Sequence, residues 1–353
     1  LLNMTVHCEI KSNVGVITLD RVKALNAITK EMIESIYQHL QLWKKDPGVA
    51  MVLIRSASTD LFSAGGDVRS VWEMRLEPLD SKLVFFEEEF QMIHLLNTYP
   101  KPVLSLMNGL TMGGGVGLGM HVAFPVAGEH MVFAMPETMI GFFPDVAGTA
   151  VLNKLPRAWQ NYLGVFGHRL NTEQLESFGL VYGCVPISRW KELTDELIAT
   201  DWSDDKFHQL SEILASYVFA KPIEPAYEPF PHFNSCFDTD SFYQLMENIH
   251  QVGDDSLHDI QMLCERLCPL SMIVTFEQIR LAQHFSVQQA LVQDFGLLQH
   301  FLELPDFYEG VRAMLIDKDK KPQWSYSDWM SVPYSVIQKI FYDATCIPLR
   351  LTS

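Results

Sequence analysis

Six glycines fall within the eleven residues 109–119, Gly-Leu-Thr-Met-Gly-Gly-Gly-Val-Gly-Leu-Gly. The segment follows a short apolar run, Val103 to Met107, of the length of a buried strand, and precedes residues that can be helical. A strand-to-helix junction made of glycine offers permissive backbone and uncovered amide N–H groups. It can hold a developing negative charge with main-chain donors and a helix dipole. The plainer alternative is that the glycines only let a helix pack closely. Nucleotide loops do not fit. A dinucleotide fingerprint needs glycine at relative positions one, three and six, yet Gly113 and Gly115 are followed by Leu118, and Gly115 and Gly117 by Met120. No Gly-Lys-Ser/Thr follows, so a phosphate loop is excluded as well.

A second glycine turn, Phe62-Ser63-Ala64-Gly65-Gly66-Asp67, favours the catalytic reading. Two separated turns, each after a strand, can aim two N–H groups at one carbonyl oxygen, and one such donor is worth roughly 3 kcal/mol in a transition state. Downstream, Glu137 follows Met135-Pro136 and Asp145 follows Phe143-Pro144, both among apolar residues such as Phe133, Ile140 and Phe142. Acids are rarely buried without a partner. Each could cap a helix, Asp145 ahead of Val-Ala-Gly-Thr most readily. As a pair in a dry pocket they would have shifted pKa values suited to acid–base or nucleophilic work.

Composition narrows the partners. A net charge of −17 over 353 residues argues against nucleic acid and anionic membrane, and makes any anionic substrate depend on a local basic patch. No apolar run approaches the roughly 20 residues of a membrane span. Six scattered cysteines without a Cys-x-x-Cys pair indicate reduced thiols, and Cys264 and Cys268, four apart, lack a second ligand pair. The twelve histidines show no His-Glu-x-x-His spacing, so no metal is expected. Leu stands at position 1 and Met at position 4, so an upstream targeting segment stays open.

Along the chain, His7–Lys11 and Val14–Asp20 read as strands about Ser12-Asn13. Thr29 caps a helix with Met32, Ile36, Leu40 and Trp43 on one face, ended by Asp46-Pro47-Gly48. Val49–Ile54 is a doubly buried strand. Ser81–Asn97 is a longer helix whose Glu87-Glu88-Glu89 run is expected to be solvated. Val122–Ala127 and Met131–Ala134 are further strands. This alternation implies an α/β fold for residues 1–200, and residues 201–353 look mostly helical, with a Pro-rich break at 221–231.

At these motifs the chain resembles the crotonase (enoyl-CoA hydratase/isomerase) superfamily, and within it the 3-hydroxyisobutyryl-CoA hydrolase group. The matching segments are Leu25-Asn26-Ala27, the turn 62–69, Met112 to Gly117, Phe133 to Thr138 and Gly141 to Val146. Far downstream, Phe307 to Ala313 and Ile316 to Asp319 match the hydrolase group, which shorter hydratases lack. The resemblance implies a ββα spiral core with a helical C-terminal region. It also implies an acyl-CoA substrate, no metal, and no cofactor beyond the coenzyme A of that substrate. Gly66 and Gly114 would supply the oxyanion hole. Ala64, Gly65, Lys23 and Leu25 would line the CoA path, with Arg21 and Lys23 near the phosphates. Glu89 matches a substrate-binding Glu, against a plain surface role.

Departures from the hydratases are specific. A hydratase would carry Glu at position 117 and often Gly at 145; this chain has Gly117 and Asp145. The resemblance therefore implies thioester hydrolysis of a short 3-hydroxyacyl-CoA, with Glu137 attacking the thioester or activating water and Asp145 binding the substrate hydroxyl or handling protons. The alternatives are an enoyl-CoA hydratase or isomerase, and a non-catalytic acyl-CoA-binding protein. Hydroxyisobutyryl and hydroxypropionyl groups differ by one methyl, which sequence does not resolve. The expected compartment is the cytoplasm in a bacterium and the mitochondrial matrix in a eukaryote. Relatives assemble as homo-oligomers, commonly trimers, but the long C-terminal region could cover that surface within one subunit.

Overall fold

A computed structural model describes residues 5–218, 228–251, 257–343 and 345–351. Its strands are β1 (Val6–Lys11), β2 (Val14–Leu19), β3 (Met51–Ser56), β4 (Leu61–Ser63), β5 (Val103–Met107), β6 (Leu110–Met112), β7 (Phe124–Ala127), β8 (Val132–Ala134), β9 (Arg169–Asn171) and β10 (Gly183–Cys184). They form a six-stranded sheet in the order β1-β2-β3-β5-β7-β10 and a four-stranded sheet in the order β4-β6-β8-β9. After the antiparallel β1–β2 hairpin, each turn of chain lays one strand in the first sheet and the next in the second: β3 then β4, β5 then β6, β7 then β8. This is the expected spiral of ββα turns.

The junction at 109–119 differs in one respect from expectation. Val103–Met107 does not lead directly into a helix; β6 stands between them. Gly109 permits this second strand. Its φ is +59°, and a Cβ there would lie 1.8 Å from the Asp60 carbonyl oxygen, so only glycine makes the step between sheets. The helix Gly114–Met120 then starts at the end of β6.

In the second sheet β4, β6 and β8 run parallel, with Leu61 opposite Leu110, Leu110 opposite Val132, and Met112 opposite Ala134. Their C-terminal ends therefore open side by side. Ala64-Gly65-Gly66 follows β4, Gly113-Gly114 follows β6, and Met135-Pro136-Glu137 follows β8. Parallel register is what gathers three clusters that are distant in sequence.

Helices cover the sheets. Thr29 caps Lys30–Lys45 by accepting from the Met32 N–H at 3.3 Å, and the helix buries Met32, Ile36, Leu40 and Trp43. The helix Leu79–Asn97 starts earlier than Ser81 because Pro78 takes the N-cap position. Its acidic run is solvated only in part: Glu87 and Glu88 are half-buried, and Glu89 is buried. Burial of both faces of the first sheet explains the all-apolar Met51–Ile54.

Downstream, Pro269–Leu281 and Val287–Phe301 are the principal helices, the second opened by a Ser286–Gln289 capping box. Most of the Pro-rich break, through residue 227, lies outside the described residues. A single buried cluster runs from Val6 to Ile340 and so joins both halves of the chain. An aromatic seam holds them together: the Phe142 ring lies 4.5 Å from Phe143, 5.0 Å from Phe307 and 5.8 Å from Phe301. Such pairs add about 0.5–1.5 kcal/mol each beyond area burial. No helix among the described residues is long and apolar enough to cross a membrane.

Candidate active site

A cleft of about 580 Å3 opens at the ends of β4, β6 and β8. It is lined by all nine residues expected of the site: Lys23, Leu25, Ala64, Gly65, Gly66, Glu89, Gly114, Glu137 and Asp145. The walls are apolar, with Phe85, Phe86, Met112, Ile140 and Phe142.

The Gly66 and Gly114 main chains come together at its floor. A Cβ placed on Gly114 would sit 2.9 Å from the Gly66 nitrogen and 2.6 Å from Glu89 Oε1. Neither the Gly66 nor the Gly114 N–H donates to another main-chain group among the described residues. Gly65, at φ +111°, is the residue that lets this loop pass against Gly113 and Gly114. The loop is pinned from below. Buried Asn26 donates from Nδ2 to the Phe62 carbonyl and the Ser56 hydroxyl, both at 2.8 Å, and accepts from the Arg21 N–H at 2.8 Å. Leu25 and Asn26 are both left-handed, at φ 54° and 49°, which turns Lys23 and Leu25 to the cleft rim.

The carboxyls lie deep. Glu89, Glu137 and Asp145 are 2%, 6% and 7% exposed. Glu89 Oε1 and Glu137 Oε2 have no hydrogen-bond partner among the described residues, and a Cβ on Gly113 would lie 3.1 Å from Glu137 Oε1. Neither Glu137 nor Asp145 caps a helix: Glu137 begins the 3-10 turn Glu137–Ile140, and Ala147 holds the N-cap position of Gly148–Leu152. Burial raises all three. Glu89 is pushed well above the carboxylate range by burial and then by the Asp145 charge. Glu137 is raised by burial, then by Asp145 and Asp294. Asp145 is pushed up to about 7 by burial.

That shift predicts a pH dependence of stability. A carboxyl whose folded pKa exceeds its unfolded value of about 3.9 binds its proton more tightly when folded, so it costs stability as pH rises from about 4 through about 7. Asp145→Asn removes this cost. Its melting temperature is expected to differ little from wild type near pH 4 and to exceed it by a few degrees at pH 8. A pH-independent gap in thermal melts would count against the buried, proton-retaining Asp145 described here.

Sequence reasoning missed the group that sets Asp145 in place. Val146 and Ala147 are left-handed, at φ 53° and 55°. Asp294 Oδ2 accepts from the Ala147 N–H at 2.8 Å, and Gln278 Nε2 donates both to Asp294 Oδ1 and to the Pro144 carbonyl, each at 2.8 Å. From the other side, His121 Nε2 donates to the Val146 carbonyl at 2.9 Å. A signal was present: Asp294 shares its helix face with Ala290, Leu291 and Leu298, an acid in an apolar stripe.

The mouth is basic. Arg21, Lys23, Arg69 and Lys318 line it, although Arg21 is tied to Asp67 at 2.9 Å. Lys318 comes from the C-terminal region and was also not foreseen. Cationic rim and acidic floor make a cleft for a ligand with an anionic tail and a reacting carbonyl.

The fold and this cleft define an acyl-CoA enzyme class. The sequence profile of the enoyl-CoA hydratase/isomerase family matches residues 14–341, and the chain belongs to that family. Among curated relatives, the mitochondrial 3-hydroxyisobutyryl-CoA hydrolase of Danio rerio is 36% identical over 334 residues, covering 93% of this chain and 86% of the relative. The protein of the same name from Homo sapiens is 35% identical, with the same coverage. Among solved structures, a carnitinyl-CoA dehydratase from Mycobacterium thermoresistibile superposes with a TM-score of 0.87 at 27% identity, covering 97% of this chain and 98% of that one. An enoyl-CoA hydratase from Rhodobacter sphaeroides 2.4.1 superposes at 0.85 with 27% identity, covering 99% and 100%.

Proposed function

We propose that this chain hydrolyses the thioester of a short 3-hydroxyacyl-CoA, with 3-hydroxyisobutyryl-CoA as substrate, as the names of its curated relatives state for them. The observation that carries this reading is the pairing of two N–H groups, without an acceptor among the described residues, with buried Glu137 and Asp145, while position 117 is closed. A Cβ at Gly117 would lie 2.7 Å from Ile93 Cδ1 and 2.9 Å from Val146 Cβ, which leaves no room for the second carboxylate of a hydratase.

In this reading the thioester oxygen accepts from Gly66 and Gly114. In the form with Glu137 ionised and Asp145 holding its proton, the Glu137 carboxylate attacks the carbonyl carbon, the C–S bond breaks, and Asp145 gives its proton to the departing thiolate. The acyl group is then a mixed anhydride on Glu137. Water adds to the Glu137 carbonyl carbon, Asp145 takes one of its protons, the 3-hydroxy acid leaves as carboxylate, and Glu137, now an acid, releases the remaining proton to solvent. A carboxyl titrating near 7 can both give and take that proton. Glu89, with its unpartnered oxygen beside Gly114, binds the substrate hydroxyl. Lys23, Leu25, Ala64 and Gly65 line the CoA arm, and Arg69 and Lys318 join Lys23 in meeting its phosphates. The reacting groups of this reading belong to the chain, the substrate and water. The division near residue 200 separates the core that carries the reacting groups from a C-terminal region that braces it and adds Lys318 to the rim. The compartment is the matrix in a eukaryote, as the mitochondrial relatives suggest, or the cytoplasm in a bacterium.

Thiol release from 3-hydroxyisobutyryl-CoA, 3-hydroxypropionyl-CoA and crotonyl-CoA tests the reading. Rapid CoA release from the hydroxyacyl substrates is expected. Loss of enoyl absorbance without CoA release would make the chain a hydratase, and binding without turnover would make it a scaffold. Grafting the missing acid should not convert it. Gly117→Glu is expected to destabilise the fold by about 1–3 kcal/mol through overpacking and to hydrate crotonyl-CoA no faster than wild type. Efficient hydration by that variant would overturn the closed position.

A further inference from the structure

Away from the cleft, three side chains that bind metals meet where the end of the described chain folds back on the helix Val287–Phe301. Cys346 Sγ lies 3.5 Å from His300 Nε2, and Asp343 Oδ2 lies 3.8 Å from the same nitrogen. The three ligand atoms all lie within 4.8 Å of one another. On tetrahedral zinc, with bonds of about 2.3 Å to sulfur and about 2.0–2.2 Å to nitrogen and oxygen, neighbouring ligand atoms stand about 3.3–3.6 Å apart. The His300–Cys346 and His300–Asp343 separations are close to that spacing.

The ligands are also held in place. Asp343 Oδ1 accepts from the Thr345 N–H at 2.9 Å and its hydroxyl at 2.6 Å, which leaves Oδ2 turned to His300. Outer contacts of this kind orient carboxylate ligands. Gln299 fixes the segment by exchanging two hydrogen bonds with Ile347, at 2.9 and 2.7 Å. The His300 and Asp343 side chains are only 10% and 19% exposed. A cavity of about 320 Å3 includes Asp343 and Cys346 in its lining, so the ligands border open space. It shares no lining residue with the cleft. Thiolate, imidazole and one carboxylate together select zinc over calcium or magnesium.

We propose that His300, Asp343 and Cys346 form a zinc site that staples the C-terminal segment to the helix carrying Asp294. Its ligands sit on two distant segments, so no spacing motif announces it.

The test uses the full, untagged chain, freed of metal with a chelator and titrated with Co2+ as a spectroscopic substitute. One equivalent is expected to give a near-ultraviolet thiolate-to-cobalt band with visible tetrahedral bands, displaced by Zn2+. Cys346→Ser should abolish the thiolate band and His300→Gln should weaken binding at least tenfold, whereas Cys264→Ser should change neither. Zn2+ in excess should raise the melting temperature of wild type by at least about 2 °C and leave Cys346→Ser unmoved. The wild-type titration and melt need no variant to fold. Absence of a thiolate band in wild type, or its persistence in Cys346→Ser, overturns the site.

Discussion

Glu137→Gln is expected to release CoA from 3-hydroxyisobutyryl-CoA at least about 10³-fold more slowly than wild type, because an amide is neither a useful nucleophile nor a base. The same variant should melt at a higher temperature. Wild-type Glu137 is a buried acid with an unpartnered Oε2, and its charged form is disfavoured by burial and by Asp145. A neutral side chain of the same shape relieves that cost, so activity and stability move in opposite directions. Turnover and a thermal melt on one preparation check both. A rate above about a tenth of wild type, a barrier change under ~1.4 kcal/mol, would remove Glu137 from the chemistry. Mechanism is separable from identity. One turnover in ¹⁸O-water with enzyme in excess should place label in Glu137. Label confined to the product acid would exclude attack of water at the Glu137 carbonyl and leave direct attack on the thioester or hydrolysis at the acyl carbon.

Gly114→Ala is expected to cost about 10²–10³ in kcat, the size of effect associated with losing one oxyanion donor. The cause is steric and local. The added methyl would stand 2.9 Å from the Gly66 nitrogen and 2.6 Å from Glu89 Oε1, which pushes one donor and one acid out of alignment. Gly114→Pro would remove the N–H itself but brings the same Cβ collision, so alanine is the cleaner reading of the geometry. Binding of free CoA and the circular dichroism spectrum should remain those of wild type, since the cationic rim is untouched. Near-normal kcat with a native spectrum would exclude Gly114 from the oxyanion hole.

Much of this was legible from residues close together in the chain. The apolar run Val103–Met107 is β5 to the residue, and Thr29 caps the helix expected of it. The glycine turns and the acids at 137 and 145 announce themselves because each breaks a local rule: glycine where a helix begins, charge where everything around is apolar. Glu89 was harder. Three consecutive acids read as a solvated face, but neighbouring helix positions point in different directions, and this one turns toward Gly66 and Gly114. The β6 strand was hidden because three residues carry almost no periodic signal. Asp294 stands out as an acid in an apolar stripe, but what it and Gln278 hold was out of reach for another reason. Their partners lie more than a hundred residues upstream, and a single sequence holds no record of which distant residues touch.

The bond between Asp294 and the Ala147 amide spans 147 residues. Its importance lies in the order of synthesis. A growing chain can wind the turns that carry Gly66, Gly114 and Glu137 long before Asp294 and Gln278 exist to hold the Pro144–Ala147 bend. The half-made protein thus has its donors and one acid while the other acid still lacks its brace. Premature termination anywhere before Asp294 should yield chains that bury most of the first sheet yet never mature into a working centre. Closing so long a loop is slow compared with forming the local turns. Arrival of the C-terminal helices, rather than assembly of the sheets, is therefore the event that starts the catalytic life of each new molecule.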